Sequence, residues 1–330
     1  MKKRTKGLII AVTVLLLVGA SSLIFQKQLA ILAFDLFLSE QVEDTLQAKS
    51  YKPLEGDQPL KAETVSFQTK PFSMLLLGTD QRGDETARSD TMMYAVVRPK
   101  ESKVLLVSVP RDTYTEIVGK GKKDKVNHAF AFGGQQMAMD TMEALLDHEL
   151  EYYATINFIG LKDAVDALGG VELPIGKDIV NKEADHEKFT VEANKPIYTG
   201  EEALNYVRYR EDSGFNRTKR QQIFLDSVAK KMKNLNQITK IPDLLEIMGS
   251  NFQTNMQPKF IIDLAKQIMT GNDTEIVSYS ISGTGVRING VYYDEPDEDT
   301  LKYAQDMIDN WMSQSTTSEQ LMQPDDQELE

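Results

Sequence analysis

Residues 7–25, GLIIAVTVLLLVGASSLIF, form an uncharged run of nineteen residues, close to the ~20 that a helix needs to cross ~30 Å of hydrocarbon. Lys2, Lys3, Arg4 and Lys6 precede the run, and mixed charge follows it. That asymmetry predicts a cytoplasmic N-terminus, with everything after the span outside. A cleaved signal peptide is the alternative, with Ala20-Ser21-Ser22 as the small-residue site. However, Leu23, Ile24 and Phe25 continue the apolar run past that point, where a polar mature start is expected. The reading is a single-pass cell-membrane protein with a cytoplasmic tail (1–6), an uncleaved anchor (7–25) and an extracellular remainder.

The remainder must supply the fold. With 41% hydrophobic and 26% charged residues the chain has globular composition and can bury a core. It contains no cysteine, so disulfide frames, thiol nucleophiles and cysteine-ligated metal sites are excluded. A formal charge of -13 argues against a protein that coats nucleic acid through a basic face. Any anion must be held by a local cluster.

Residues 26–68 read as a stem and linker. Their first part, QLAILAFDLFLSEQVEDTL, is apolar at helical spacing, which suits a helix on the membrane surface or one packed on the domain. From 69 to 312 the texture is that of one domain. Short apolar runs of strand length (SMLLLG, MMYAVV, KVLLVSVP) alternate with helical patterns such as FIGLKDAVDALGG and PKFIIDLAKQIMTG. This alternation predicts an α/β fold, a central mixed sheet with helices on both faces. Thr199 and Glu202 form a capping box, and Asn216 is a candidate cap for the next helix. Residues 313–330, rich in Ser, Thr, Gln and acids, predict a disordered acidic tail.

Arginine placement carries the chemistry. The chain has ten arginines against 27 lysines, and seven of the ten fall in four short motifs. These are Arg82 and Arg88 in GTDQRGDETARSDT, Arg111 in SVPRDTY, Arg208 and Arg210 in YVRYR, and Arg217 and Arg220 in NRTKRQQ. Arginine presents a planar fork that matches phosphate oxygens in pairs. The first two motifs each follow a strand-like run, and loops leaving strand ends line the ligand crevice of open α/β sheets. Carboxylates accompany them: Asp80, Asp84, Asp90 and Asp112. Oxygen donors without thiols, and without metal spacing at His128, His148 or His186, suit Mg²⁺ or Mn²⁺ on a phosphate rather than zinc. Each motif alone has a plainer reading. Arg208 and Arg210 could meet helix-end carbonyls or Glu211 and Asp212. Arg217, Arg220 and Gln221, at i, i+3 and i+4, could form a solvated face. Asp80 or Asp90 could be a turn residue.

Together, LLLGTDQR, ARSDTMM, SVPRDTY, KVNHAFAFGG, YVRYR and NRTKRQQ, in that order, resemble the LytR-CpsA-Psr family of cell-wall glycopolymer transferases, over roughly residues 70 to 310. The resemblance implies an enzyme that moves an anionic glycopolymer, such as teichoic acid or a capsular polysaccharide, from an undecaprenyl-pyrophosphate carrier to a peptidoglycan sugar hydroxyl. It implies an apolar tunnel for the prenyl chain with the pyrophosphate at its mouth. Asp80 and Asp90 match the family's Mg²⁺-associated and catalytic acids. Arg82, Arg88, Arg111, Arg208 and Arg210 match its pyrophosphate-binding arginines, and Arg217, Arg220 and Gln221 its R-x-x-R-Q element; Asp80, Asp90 and Arg111 are the expected catalytic set. Two positions depart from the pattern: Val118 stands where proline often precedes the glycine, and Gly214-Phe215-Asn216 replaces Asp-Phe-Gly. Three other functions compete: a polyprenyl-pyrophosphate hydrolase, a binding module without turnover, and a membrane-bound transcriptional regulator. The last leaves only about six residues in the cytoplasm.

Overall fold

The alternation of β-branched and aliphatic residues in the strand-like runs sorts them onto two faces of one sheet. A computed structural model describes residues 26–54, 69–80, 89–182, 188–209, 211, 214–232, 241–271 and 274–324. Residues 1–25, where the sequence predicts the cytoplasmic tail and the anchor, residues 55–68 and residues 325–330 lie outside that set. Among the described residues no helix is long and apolar enough to cross a membrane.

The strands in chain order are β1 (Phe72–Thr79), β2 (Ser89–Arg98), β3 (Lys103–Ser108), β4 (Tyr114–Ile117), β5 (Lys122–Lys125), β6 (Tyr152–Asn157), β7 (Ile179–Asn181), β8 (Phe189–Val191), β9 (Phe252–Thr254), β10 (Glu275–Ser280), β11 (Gly283–Ile288) and β12 (Val291–Pro296). The helices are α1 (Gln26–Phe37), α2 (Ser39–Thr45), α3 (His128–Leu146), α4 (Phe158–Ala167), α5 (Gly200–Arg208), α6 (Gly214–Met232), α7 (Ile241–Met248), α8 (Pro258–Thr270) and α9 (Glu298–Met312). The central sheet has six strands in the order β10-β3-β2-β1-β6-β9. It is mixed: β1 runs antiparallel to β2 and parallel to β6, and β3 pairs antiparallel with β2 and parallel with β10. The pairs β4–β5, β7–β8 and β11–β12 form separate two-stranded ribbons.

On one face, Leu75 and Leu77 join Tyr94, Val96 and Leu105 against Met139 and Met142 of α3 and Met307 and Trp311 of α9. On the other, Phe72, Met74, Met93 and Ala95 pack with Met256, Leu225 of α6 and Phe260 of α8. Helices therefore cover both faces, as the sequence predicts, and each fully buried large side chain contributes about 1.5–3 kcal/mol. A further core joins Val165 of α4, Ala203, Tyr206 and Val207 of α5 and Phe224 of α6.

The capping box is present: Thr199 Oγ1 accepts from the Glu202 amide and the Glu202 carboxylate accepts from the Thr199 amide. Asn216 is not a cap, because α6 already begins at Gly214. Gly133 and Gly134 kink α3, with Gly134 at φ 63°, where a side chain would be strained. The stem divides. Phe34, Val42 and Leu46 pack on Ile262 of α8, whereas Leu36 and Phe37 on α1 are exposed.

The expected disorder from residue 313 onward is corrected for 313–324. Arg98, buried in β2, donates to the carbonyls of Trp311 at 2.6 Å, Ser313 at 2.9 Å and Thr316 at 2.8 Å. Trp311 Nε1 donates to the Met322 carbonyl at 2.9 Å, and Leu321 is buried in the core. A buried guanidinium that needs carbonyl partners orders a segment whose own composition would leave it loose.

Candidate active site

The site begins with an irregularity in the sheet. β1 and β2 pair in register up to Gly78 opposite Thr91, and then Thr79 lies opposite Ser89, so Asp90 is the extra residue of a β-bulge. A bulge bends its strand and re-aims a side chain, and Asp90 lines the mouth of a cavity. A Cβ at Gly78 would lie 3.1 Å from Thr91 Cβ and 3.2 Å from its Oγ1, so the close approach of the two strands depends on that glycine.

Arg111 leaves the end of β3 and donates from a terminal nitrogen to Asp90 Oδ1. Its Nε lies 3.3 Å from Asp112 Oδ2, and Lys125 Nζ lies 2.7 Å from Asp112 Oδ1. Burial works against the Arg111 charge, but Asp90 and Asp112 outweigh it and raise its pKa above the ordinary value. Burial likewise would raise the Asp112 carboxyl, yet Lys125 and Arg111 hold it below the usual carboxylate range. The result is a fixed row of charges, Asp90, Arg111, Asp112 and Lys125.

Across the mouth, Arg208 ends α5 with its guanidinium carbon 4.8 Å from the Phe158 ring centroid, a cation–π arrangement. Arg217, Gln221, Phe224 and Leu225 of α6 also line the cavity. Their spacing is one helical stripe that is polar at its start and apolar a turn or two later. The cavity, about 210 Å³, therefore passes from a mouth of Asp90, Arg208, Arg217 and Gln221 into apolar walls that include Leu76, Met93, Leu161 and Phe252.

Most of the described residues expected at the site meet there, but Arg220 does not. Its Nε donates to the Tyr206 carbonyl at 2.9 Å and a terminal nitrogen to the Tyr209 carbonyl at 2.6 Å, so it caps the end of α5. It does not line the cavity that Arg217 and Gln221 border; cation placement near a helix C-terminus is favourable in itself. Asp80 directly follows β1, beside the strand that carries Asp90. Arg82, Asp84, Arg88 and Arg210 lie outside the described residues. Phe158 and Lys125 were not singled out in the sequence. Phe158 had one signal, its place at the start of the helical pattern FIGLKDAVDALGG, and Lys125 had another, its place in a lysine-rich segment.

For a divalent ion, Asp80 and Asp90 supply hard oxygen donors on neighbouring strand ends, the donor type that Mg²⁺ prefers. Among the described residues no group of three or more His, Asp or Glu forms a metal cage. Two carboxylates are compatible with an ion that takes its other ligands from phosphate and water.

The sequence model of the LytR_cpsA_psr family matches residues 39–309, beginning in the stem at the helix that packs on α8 rather than near residue 70. The polyisoprenyl-teichoic acid–peptidoglycan teichoic acid transferase TagU of Bacillus licheniformis is 36% identical over 236 residues, covering 70% of this chain and 74% of its own. Among solved structures, B. subtilis TagV has a TM-score of 0.63 at 28% identity, over 74% of this chain and 98% of that one. TagT bound to LIIa-WTA has a TM-score of 0.61 at 30% identity, over 79% and 99%. A match that runs from the stem helix to α9, on a fold shared with these structures, makes this protein a member of the LytR_cpsA_psr family.

Proposed function

We propose that this protein is a transferase that moves an anionic glycopolymer from a polyprenyl-pyrophosphate carrier to a peptidoglycan sugar hydroxyl, working outside the cell membrane on its N-terminal anchor. The observation that carries the reading is the cavity: apolar walls entered past Arg208, Arg217 and Asp90 suit a ligand with an apolar chain and an anionic head. The name of the TagU relative and the ligand of the TagT structure support teichoic acid as the polymer class.

In this reading the acceptor hydroxyl oxygen bonds to the phosphorus that carries the polymer sugar, and the bond from that phosphorus to the prenyl phosphate oxygen breaks. Prenyl phosphate leaves, and the hydroxyl proton passes to the acid of the Asp90–Asp80 pair that is free of the ion, with Arg111 orienting Asp90. Arg111, Arg208 and Arg217, with Arg82, Arg88 and Arg210 from the same motifs, hold the diphosphate oxygens and stabilise the charge that grows on the leaving group. Asp80 and Asp90 would hold Mg²⁺ or Mn²⁺, which when bound neutralises diphosphate charge.

The test is mass spectrometry of lipid co-purified with the full chain, paired with a transfer assay on peptidoglycan with and without Mg²⁺ and EDTA. Polyprenyl phosphate or pyrophosphate on the wild type, lost in an Arg111→Ala, Arg210→Ala variant together with transfer, supports the reading. Phosphate release without an acceptor would replace it by a hydrolase.

A further inference from the structure

Residues 119–125, GKGKKDK, hold four lysines in a protein of formal charge -13. They form the turn and second strand of the β4–β5 ribbon, and Lys120, Lys122 and Lys123 are exposed. Lys120 Nζ lies 5.2 Å and Lys122 Nζ 5.0 Å from the centroid of one ring, that of Phe132, which is 40% exposed. Each cation is attracted to the ring, but two ammonium groups over one ring repel each other. Asp124 lies 3.2 Å from Lys122, and it is shared with His128 Nδ1 at 2.9 Å and the Lys125 amide at 2.8 Å. One shared carboxylate leaves this cluster with an excess of positive charge, which an anion with several oxygens would balance.

The cluster connects to the loop that carries Arg111 on its own face of the ribbon. His128, which shares Asp124 with Lys122, directly follows Asn127, and the Asn127 amide donates to the Arg111 carbonyl at 3.3 Å. Gln135, three residues after Phe132 across the Gly133–Gly134 kink, donates to Gln253 Oε1 at 3.0 Å, next to Phe252 of the cavity wall. A ligand with anionic groups at intervals could therefore occupy the mouth and this cluster together.

We propose that Lys120, Lys122 and Phe132 form a second anion subsite beside the mouth, which holds a backbone phosphate of the polymer while its diphosphate end lies at Asp90 and Arg111. The proposal rests on the transferase reading and adds to it a grip on the polymer itself. The choice of polymer over an anionic lipid surface follows from the continuity of the cluster with the Arg111 loop through Asp124, His128 and Asn127.

The experiment compares the full chain in detergent with a Lys120→Gln, Lys122→Gln variant of matched melting temperature. The probes are a soluble poly(glycerol phosphate) chain without lipid, polyprenyl pyrophosphate without polymer, and phosphatidylglycerol vesicles. The expected result is polymer binding about tenfold weaker in the variant, with a salt dependence shallower by roughly one to two in log–log slope. Carrier binding stays unchanged, and a Lys120→Glu, Lys122→Glu variant is weaker still. Equal polymer binding by wild type and variant, or a loss confined to the vesicles, overturns the subsite. A wild type that binds carrier but no soluble polymer also overturns it, whereas one that binds no carrier refutes the transferase reading instead.

Discussion

The Arg111 guanidinium bonds Asp90 Oδ1 across the gap between the bulged strand β2 and the loop after β3. That contact sets the direction of the carboxylate at the mouth and ties it to Asp112 and Lys125. Arg111→Lys keeps a charge but loses the fork that reaches both acids. We expect transfer to fall about 10²–10³-fold, with carrier binding reduced and the melting temperature little changed. Full activity in the lysine variant would remove Arg111 from the mechanism.

Gly78 both lines the cavity and lets β1 approach Thr91 closely. In Gly78→Val the added side chain meets Thr91 at the bulge and enters the cavity lining. Polyprenyl pyrophosphate binding should fall at least about tenfold, while binding of inorganic pyrophosphate at the mouth persists. Isothermal titration with the two ligands separates these effects, and equal losses of both would show damage to the sheet rather than a filled tunnel.

The C-terminal segment is a structural part of the domain. Ending the chain at residue 312 leaves the buried Arg98 without the carbonyls of Ser313 and Thr316. Glu101 and the Trp311 carbonyl still hold the charge, so what is lost is two hydrogen bonds to a charged group, about 1.5–3 kcal/mol each, and denaturant unfolding should show a loss of that order. Ending it at residue 324 should show none.

Stability should respond to pH through Glu143. Burial raises its pKa, while a hydrogen bond from the Leu150 amide opposes the shift. A carboxyl with a raised folded-state pKa favours the folded state most when it is protonated, and that contribution is lost as pH rises from the ordinary carboxylate range through the folded value. Glu143→Gln keeps the acceptor for Leu150 and removes the charge. Its melting temperature should exceed that of the wild type at neutral pH, and the gap should close below about pH 4. A gap that persists in acid would assign the gain to packing.

Local patterns made much of this protein legible. The aliphatic runs placed β1, β2 and β3, and the Thr199–Glu202 spacing placed the start of α5. The arginine and aspartate motifs pointed to one mouth, where Asp90, Arg111, Arg208, Arg217 and Gln221 meet. What was illegible depends on contacts between distant residues. Arg220 shares a motif with Arg217, but a small rotation around α6 takes it to the carbonyls of Tyr206 and Tyr209. The bulge that aims Asp90 is a property of two paired strands, so neither strand carries it alone. The order of residues 313–324 comes from Arg98, more than two hundred positions earlier.

That last separation bears on how the domain is made. β2 lies inside the sheet, and Arg98 at its end meets its first carbonyl partner 213 residues later and its last 218 later. While the chain is still emerging, this cation has Glu101 beside it but none of its carbonyl acceptors, so water must satisfy its other donors, which keeps that end of the sheet from closing dry. Nearly the whole polypeptide has to be delivered before the core can shut, so the C-terminal residues act as the latch of assembly. A nascent chain arrested anywhere before residue 311 is one that quality-control proteases should find open.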